Sequence, residues 1–300
     1  MTDAVRVSAH AKVNLFLRIM AREASGFHAI ETLFTLLELA DEITVARTAD
    51  GVEIDVTGGD TGPPDDNLAV RAARAVLEAT GARFGVKIAL EKRIPIRAGL
   101  GGGSSDAAAT LHAVNLLADN AIPRGEILQF AAKLGSDTTF FASGAAMALG
   151  WNRGERLFAV PSPPAAPALL VIPDFGVSTA EAFRLWDRMQ GPPTPRGSIV
   201  LDMDALGGWG SIGRLGGNDF ESVVATKHPE IRTLLSRAAE TGPLLARMSG
   251  SGSAIFGVYR DEGAMEDAAT MLGAAGHTLI RTQTRPSPAP GPVAAPGEHP

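Results

Sequence analysis

Apolar and polar residues alternate between Val5 and Ile19, and this period of two predicts a β-strand. One parity is apolar, whereas the other carries mostly charged and polar side chains, among them Lys12 and Asn14. If the strand contains no bulge, Lys12 and Asn14 point to the same face. The stretch would therefore present an amine beside an amide.

Further along the chain, changes of period predict a succession of helices and strands. Helices are expected at 67–81, after the glycines near 103, at about 124–134, near 178–189, from about 218 and at 261–276. Strands are expected at 86–90, 145–150, 155–160 and 168–172, and a strand, a glycine turn and a second strand at 244–259. Gly81 ends the first helix, and Gly135 is expected to end the 124–134 helix with a positive φ.

The stretch "PSPPAAP" at 161–167 is the clearest interruption inside the chain, and it is interpreted as a domain boundary or as a surface loop. We predict an N-terminal domain at 1–160 and a C-terminal domain at 161–283. Residues 284–300 form a proline-rich tail, which is expected to be extended and disordered because such composition cannot form a packed core.

Composition narrows the class of protein. With 300 residues, 45% of them hydrophobic and 20% charged, the chain is typical of a globular protein. It contains no run of about eighteen apolar residues and no N-terminal pattern of a signal peptide. We therefore expect a cytoplasmic protein that does not interact with a membrane.

Charge and residue types exclude several kinds of chemistry. A net charge of −6 without a basic cluster gives no electrostatic footprint for nucleic acid. The absence of cysteine excludes disulfides, thiolate nucleophiles and cysteine-ligated metals. The six histidines show no paired metal-ligand spacing, so no protein-ligated metal site is predicted.

The stretch "PIRAGLGGGSSDAAATL" at 95–111 is the strongest candidate for a binding site. A strand, a glycine-rich turn and a helix present consecutive backbone N–H groups and a helix N-terminus, which together attract a phosphate. Ser104 or Ser105 is expected to cap the helix, and Asp106 suits the positive end of its dipole. The alternative is a tight turn that is glycine-rich only for conformational reasons.

Two better-known nucleotide motifs are absent. The chain contains no Gly-Lys dipeptide, so the loop lacks the lysine of a P-loop. The literal G-x-G-x-x-G pattern is "GWGSIG" at 208–213, which follows no clear strand and precedes no evident helix. We interpret it as unrelated to dinucleotide binding.

Three motifs, in order, resemble those of the GHMP kinase superfamily, named after galactokinase, homoserine kinase, mevalonate kinase and phosphomevalonate kinase. They are "AKVNLFLRI" at 11–19, "PIRAGLGGGSSDAA" at 95–108 and "MSGSGSAIF" at 248–256. The resemblance spans about residues 5–283. It implies an α+β fold of two domains, an N-terminal ribosomal-protein-S5-like domain and a C-terminal ferredoxin-like α/β sandwich, with the active site in the cleft between them.

Further motifs resemble one branch of that superfamily: "GFH" at 26–28, "LGSDTTFF" at 134–141 and "NDFE" at 218–221. The resemblance implies an ATP-dependent kinase that phosphorylates the 2-hydroxyl of a cytidyl-diphosphate-linked methylerythritol in the non-mevalonate route to isoprenoids. Two alternatives stay open: another GHMP kinase of the homoserine or mevalonate type, or a non-catalytic nucleotide-binding protein on the same scaffold.

The resemblance also implies roles for single residues. Asp137 matches the catalytic aspartate, Lys12 its partner lysine, and Asn14 a residue near the substrate. The residues that match the cytosine site are Phe27, His28, Thr179 and Phe183. The residues that match the nucleotide site are Asn67, Lys92, Pro95, Ile96, Arg97, Ala98, Gly99, Leu100, Gly101, Gly102, Gly103, Ser104 and Ser105.

ATP implies Mg²⁺, which usually keeps several waters and takes only one or two protein ligands besides phosphates. Ser105 is a candidate contact. Phe27 stands where the family commonly has tyrosine, so stacking is kept without the hydroxyl. Arg97 adds a charge before the loop whose contact the sequence does not assign. The chain is expected to be a monomer or a homodimer.

Without the resemblance, plainer interpretations apply. Asp137 is a candidate helix cap after Gly135, and Lys12 a solvated lysine on an amphipathic strand. Phe27 and Phe183 are candidate core aromatics, and His28 a surface histidine. The turn "SGSGS" at 249–253 is a candidate strand connection, and "NDFE" is expected to cap a helix rather than contact a ligand.

Overall fold

The computed structural model describes residues 3–22, 26–189, 201–273 and 276–295. Its strands are β1 (Ala4–Arg22), β2 (His28–Thr48), β3 (Val52–Thr57), β4 (Gly85–Glu91), β5 (Met147–Asn152), β6 (Arg156–Ala159), β7 (Pro167–Pro173), β8 (Leu245–Met248), β9 (Ile255–Val258), β10 (His277–Arg285) and β11 (Val293–Ala294). Its α-helices are α1 (Leu68–Thr80), α2 (Gly102–Leu117), α3 (Arg124–Leu134), α4 (Ser136–Ser143), α5 (Thr179–Met189), α6 (Trp209–Ile212), α7 (Phe220–Lys227), α8 (Pro229–Glu240) and α9 (Glu262–Leu272).

One sheet connects the two parts of the chain. Strand β2 pairs with β1, β4, β5 and β10, and all of these pairs are antiparallel. Strand β10 pairs with β2 near its end and with β7 along the rest of its length. The sheet continues from β7 through β9 to β8. The C-terminal strands are therefore hydrogen-bonded to the N-terminal ones through β10.

Buried apolar residues lie on both parts of this sheet. Helices α1, α2 and α3 pack against β1, β2 and β4 around a core that includes Ile43, Ile88 and Leu111. Helices α7, α8 and α9 pack against β7 and β9 around a core that includes Val224 and Ile255. Each group of helices therefore packs on its own part of the sheet.

Strand β1 contains bulges. Because of them, its alternating apolar and polar residues do not separate into one buried face and one exposed face. Its register against β2 shifts between His10 and Lys12 and again between Asn14 and Phe16. A bulge re-aims the side chains that follow it. As a result, both parities of β1 are buried around the bulges, and the relative exposure of Lys12 is 2%. The interpretation of Lys12 as a solvated lysine is therefore wrong.

Most of the predicted elements between residues 67 and 189 and between 244 and 273 are confirmed. Gly81 caps α1 with a φ of 59°, as expected. Gly135, however, has a φ of 169°, which is extended rather than left-handed, because it also begins α4 and so joins two helices directly. The pattern did not reveal β2, β3, α4, α8 or β10. The sequence also has a glycine- and proline-rich stretch at 191–217, of which residues 191–200 lie outside the described residues.

The proline-rich tail differs from its expectation in the described part. Residues 286–295 run back along the sheet, and Val293 and Ala294 form β11 beside β1. Strand β1 has unpaired backbone groups on that edge, and the tail pairs with them. Thr284 and Arg285, which the prediction assigned to the tail, belong to β10, and Val293 and Ala294 belong to β11. Disorder of the rest of the tail stays a prediction, and residues 296–300 lie outside the described residues.

The segment 161–166, which the sequence suggested as a domain boundary, connects β6 to β7 without regular structure. The boundary at 160–161 stays a prediction. No helix in the described ranges has both the length and the apolar character needed to span a bilayer.

Candidate active site

A cleft of about 970 Å³ opens where the N-terminus of α2, strand β1, helix α5 and the turn after β8 meet. Nearly all of the predicted site residues lie on its wall. Those that line it are Lys12, Asn14, Phe27, His28, Asn67, Lys92, residues 95–104, Asp137, Thr179 and Phe183. Ser105 is the exception. Side chains from both predicted domains therefore face one cavity.

Glycines in the loop are needed for two separate reasons. Gly99 and Gly101 have φ values of 79° and 75°, a region that side chains rarely adopt. A Cβ on Gly99 would also lie 2.1 Å from the carbonyl oxygen of Ser249. Around Gly103, by contrast, a Cβ would meet nothing within 4 Å. The first two glycines allow the chain to pack, and Gly103 leaves open space beside the helix N-terminus.

The serines do not cap α2, so that expectation is wrong. The helix begins one turn earlier, at Gly102, with Gly101 as its N-cap and no side-chain cap. Ser105 is buried, and its hydroxyl donates a hydrogen bond of 2.7 Å to the carbonyl of His10. It therefore fixes α2 to β1 and is not directed into the cleft. Ser104 lies on the cleft wall.

Lys12 and Asp137 form an ion pair at the mouth of the glycine loop. The Nζ of Lys12 lies 3.3 Å from Oδ2 of Asp137 and donates a hydrogen bond of 2.6 Å to Oδ1 of Asn14. Asn14 in turn donates to the hydroxyl of Thr32 over 2.8 Å. Asp137 lies in the first turn of α4 but makes no capping hydrogen bond, so the cap interpretation is wrong. The amine is buried and the carboxylate is one-third exposed.

Lys92 lies beneath the glycine loop in a buried cluster of charges. Its Nζ is bonded to the carboxylate of Asp41 and lies 2.7 Å from Oδ2 of Asp106. Asp41 also accepts the backbone N–H groups of Arg93 and Ile94. A single lysine balances only one negative charge, so the two carboxylates carry one negative charge more than Lys92 neutralises. Oδ1 of Asp106 has no hydrogen-bond partner among the described residues.

The surroundings of this cluster shift the pKa values of Lys92 and Asp106. Burial raises the pKa of Asp106, the positive charge of Lys92 lowers it, and the negative charge of Asp41 raises it again. The resulting pKa is about 7. Burial lowers the pKa of Lys92, but the two carboxylates more than offset this, so the pKa of Lys92 lies above its ordinary value. Lys92 is therefore held as a cation that touches the loop from below.

Asn67 has a structural task at the edge of the cleft. Its Oδ1 accepts the backbone N–H of Ala69 and caps α1, while its Nδ2 donates to the hydroxyl of Thr61. Arg97 lines the cleft with a φ of 57°, and a Cβ added to Gly176 would lie 2.9 Å from Cβ of Arg97.

The aromatic end of the cleft differs from a simple sandwich. The ring of His28 is stacked on Phe183 with centroids 4.7 Å apart and planes 12° from parallel. Nε2 of His28 lies 2.7 Å from Oδ1 of Asp187. Phe27 is more than half exposed, with the guanidinium carbon of Arg153 3.8 Å from its ring centroid. Sequence reasoning missed Asp187 and Arg153.

The turn at 249–253 closes over the glycine loop. The hydroxyl of Ser249 donates 2.9 Å to the carbonyl of Gly99, and the N–H of Ala254 donates 3.0 Å to that of Ala98. Thr179 from α5 lies 3.2 Å from the hydroxyl of Ser251. The turn is thus both a strand connection and a part of the cleft wall.

The motif "NDFE" holds this turn in place. Asn218 accepts the N–H of Phe220, the first residue of α7, and its Nδ2 donates to the carbonyls of Met248 and Gly250. Asp219 accepts the N–H of Ile19. The motif therefore contacts the start of α7 through Asn218 and ties β1 to the turn, whereas Asp219, the N-cap residue of α7, makes no side-chain capping hydrogen bond. "GWGSIG" forms the short helix α6, away from the cleft.

Comparisons with known proteins agree on one kind of fold. The model of the GHMP kinases N terminal domain matches residues 67–147, and that of the GHMP kinases C terminal domain matches residues 202–278. A crystal structure of 4-(cytidine 5'-diphospho)-2C-methyl-D-erythritol kinase is similar to the chain with a TM-score of 0.76 and 35% identity, covering 93% of this chain and 98% of the other. These matches confirm the expected fold class.

Sequence relatives point the same way. A 4-diphosphocytidyl-2-C-methyl-D-erythritol kinase of Solibacter usitatus (strain Ellin6076) is 40% identical over 278 residues, which is 91% of this chain and 86% of that protein. One of Moorella thermoacetica (strain ATCC 39073 / JCM 9320) is 38% identical, over 86% of this chain and 91% of its own. A homoserine kinase structure from Cytophaga hutchinsonii has a TM-score of 0.69 at 21% identity, which concerns the fold alone.

Proposed function

Because the chain belongs to the family of 4-diphosphocytidyl-2-C-methyl-D-erythritol kinases, we propose that it transfers the γ-phosphoryl group of ATP to the 2-hydroxyl of 4-diphosphocytidyl-2-C-methyl-D-erythritol. The products are the 2-phosphate and ADP. The chain is an ATP-dependent small-molecule kinase built on GHMP kinase domains. We also propose, as the sequence led us to expect, that the protein is cytoplasmic and that it is a monomer or a homodimer.

The observation that carries the proposal is the Lys12–Asp137 pair beside the glycine loop. Phosphoryl transfer asks a protein mainly to position the reactants and to neutralise charge. Asp137, one-third exposed at the cleft, accepts the proton of the substrate hydroxyl. Lys12 holds the carboxylate in place and offsets the negative charge that gathers on the transferred group. Asn14 fixes the amine from its other side.

The loop at 95–104 binds the ATP phosphates. The open space at Gly103 and the N-terminal N–H groups of α2 suit an anionic group, and the buried cation of Lys92 lies below. Lys92 acts from beneath the loop through Asp106 and Asp41, and Asn67 at its rim caps α1. Ser105 supports the loop by binding β1 rather than by touching phosphate.

Mg²⁺ is proposed to accompany ATP. The described residues contain no group of three or more His, Asp or Glu side chains placed to hold a metal. This fits an ion held mainly by phosphate oxygens and waters, for which one protein oxygen suffices. Ser104, which faces the cleft, is the candidate for that contact, and Ser105 is not, because its hydroxyl is already used.

The aromatic end of the cleft is proposed to bind the cytosine. Phe27 offers an exposed ring face for stacking, while His28 and Phe183 form one stacked wall. Thr179 lies on the same side, bonded to the turn at 249–253. The arrangement separates a base site from the phosphate loop. This suits a substrate that has a nucleoside at one end and an alcohol at the other.

The test is release of ADP from ATP and Mg²⁺ in the presence of the cytidyl-linked substrate. We expect substrate-dependent ADP release together with a product phosphorylated at the 2-position, identified by phosphorus NMR. The control is Asp137→Ala. If homoserine or mevalonate is phosphorylated and the cytidyl substrate is not, the proposed substrate is wrong. If ATP binds but no acceptor yields ADP above the control, the chain is not a kinase of this kind.

A further inference from the structure

His28 is clamped by two residues that lie one helical turn apart on α5. Phe183 stacks on the face of its ring, and Asp187, four residues later, binds its edge through Nε2 at 2.7 Å. Residues four apart share one face of a helix, so a single docking of α5 provides both contacts. The side chain of His28 is buried, and its orientation is therefore determined by α5.

The contact with Asp187 determines which nitrogen carries the proton. An ionised carboxylate only accepts hydrogen bonds, so the Nε2 that lies against it must be the donor. Arg22, whose Nη1 lies 3.9 Å from Oδ2 of Asp187, places a positive charge on the other side of this carboxylate. In the neutral ring, Nδ1 then has a free lone pair and accepts a hydrogen bond. Among the described residues, none is hydrogen-bonded to Nδ1.

His28, Phe183 and Asp187 all lie on the wall of the cleft. A hydrogen-bond acceptor there pairs with an exocyclic amine, which cytosine carries at its 4-position and uracil replaces with a carbonyl oxygen. Two acceptors facing each other repel. The tautomer of one histidine therefore distinguishes the two pyrimidines, which are otherwise almost the same in shape.

We propose that Asp187 is a positioning residue that holds the proton of His28 on Nε2, so that Nδ1 accepts a hydrogen bond from the exocyclic amine and selects a cytidyl over a uridyl substrate. This inference rests on the proposed function, because it concerns the base of the proposed substrate. Asp187 acts through His28 and needs no contact with the substrate.

Asp187→Asn is the informative change, because it keeps the shape and inverts the hydrogen bond. Arg22 attracts the amide oxygen, which turns the amide N–H₂ group toward Nε2. Nε2 then accepts, and the proton moves to Nδ1. Such a change beside a histidine leaves the ring in place with the wrong tautomer. The acceptor toward the base thus becomes a donor, which suits uracil.

The experiment compares kcat/KM for the cytidyl-linked substrate and its uridyl analogue, at one fixed alkaline pH for all variants. We expect a wild-type preference of about a hundredfold for the cytidyl substrate and a decrease of at least about tenfold in Asp187→Asn. Glu181→Gln, an acid-to-amide change on the same helix but outside the cleft, should keep the wild-type ratio. In a His28→Ala background, adding Asp187→Asn should leave the ratio unchanged.

A purely structural role for Asp187 would lower both kcat/KM values by the same factor, and an unchanged ratio would overturn the proposal. The wild-type protein also gives a direct test that needs no folded variant. With histidine isotopically labelled on its ring nitrogens and His28 assigned by comparison with His28→Gln, NMR should show the proton on Nε2. A proton on Nδ1 would overturn the proposal. If the wild type phosphorylates neither substrate, the proposed function fails, and the NMR result still decides the tautomer.

Discussion

Nζ of Lys12 on β1 lies 3.3 Å from Oδ2 of Asp137 on α4, although the two residues come from opposite ends of the N-terminal half of the chain. The bulges of β1 turn Lys12 inward, and the direct junction of α3 and α4 at Gly135 presents Asp137 to it. The fold thus brings together a buried cation and a partly exposed carboxylate at the edge of the glycine loop. Three of the following predictions concern that corner of the cleft.

Asp137→Asn should lower kcat by about a hundred- to ten-thousand-fold, because a positioned base contributes about that much to proton transfer. The amide keeps the size of the side chain, and the position is one-third exposed, so the unfolding midpoint should stay close to that of the wild type. Steady-state kinetics and thermal unfolding measure the two quantities. Asp267→Asn, at an exposed position on α9, is the matched control. A kcat within threefold of the wild type would remove Asp137 from the mechanism.

Lys12→Met should reduce kcat by about a hundred- to a thousand-fold, since it removes a preorganised charge but fills nearly the same volume. If Lys12 and Asp137 act as a unit, the double variant Lys12→Met/Asp137→Asn should be little slower than the worse single variant. Lys133→Met, at an exposed position on α3, controls for the loss of a lysine. If the losses in kcat of the two single variants multiply fully in the double variant, the two side chains act independently.

Two alanine substitutions in the loop should have opposite effects on stability. Gly99→Ala should cost more than about 2 kcal/mol of unfolding free energy, because it places a Cβ at a positive φ and against the carbonyl of Ser249. Gly103→Ala should stabilise by about 0.5–1 kcal/mol, since its helical position has open space for a methyl group. Urea unfolding measures both changes.

The same methyl group on Gly103 should raise KM for ATP, because it projects into the space assigned to phosphate. Gly103→Ala therefore separates stability from binding. If it leaves KM for ATP unchanged, the phosphates lie elsewhere, and the glycines serve only to let the loop pack under the turn at 249–253.

The sequence predicted those features of the site that have a local signature. The period of two indicated β1, and the glycines followed by a helical stripe indicated the loop and α2. The motif resemblance supplied Lys12 and Asp137. The bulges that bury Lys12 were not predictable, because they depend on the pairing of β1 with β2 rather than on the sequence of β1 itself.

Contacts between distant residues were also beyond the reach of the sequence. Asp41 lies in the middle of a long strand, where nothing marks it as the partner of Lys92. Asp187 has the spacing of an exposed helical position, and its contact with His28 depends on how α5 docks. A carboxylate in such a place is commonly a solvated surface residue, and burial by another element decides otherwise.

The buried cluster below the loop predicts an unusual pH dependence of stability. The pKa of Asp106 is raised to about 7, by burial and by Asp41, against the attraction of Lys92. An acid whose pKa is higher in the folded than in the unfolded state binds its proton more tightly when folded. Its contribution to stability is present below about pH 4 and is lost as the pH rises through about 7.

Relative to Asp106→Asn, which does not titrate, the wild type should lose on the order of 2–4 kcal/mol of unfolding free energy between about pH 4 and pH 8. Urea unfolding at several pH values measures the difference, with Asp267→Asn as the variant whose difference from the wild type should stay flat. If the unfolding free energies of the wild type and Asp106→Asn change with pH in parallel, Lys92 keeps Asp106 ionised over the whole pH range. The excess negative charge of the cluster is then accommodated by another group.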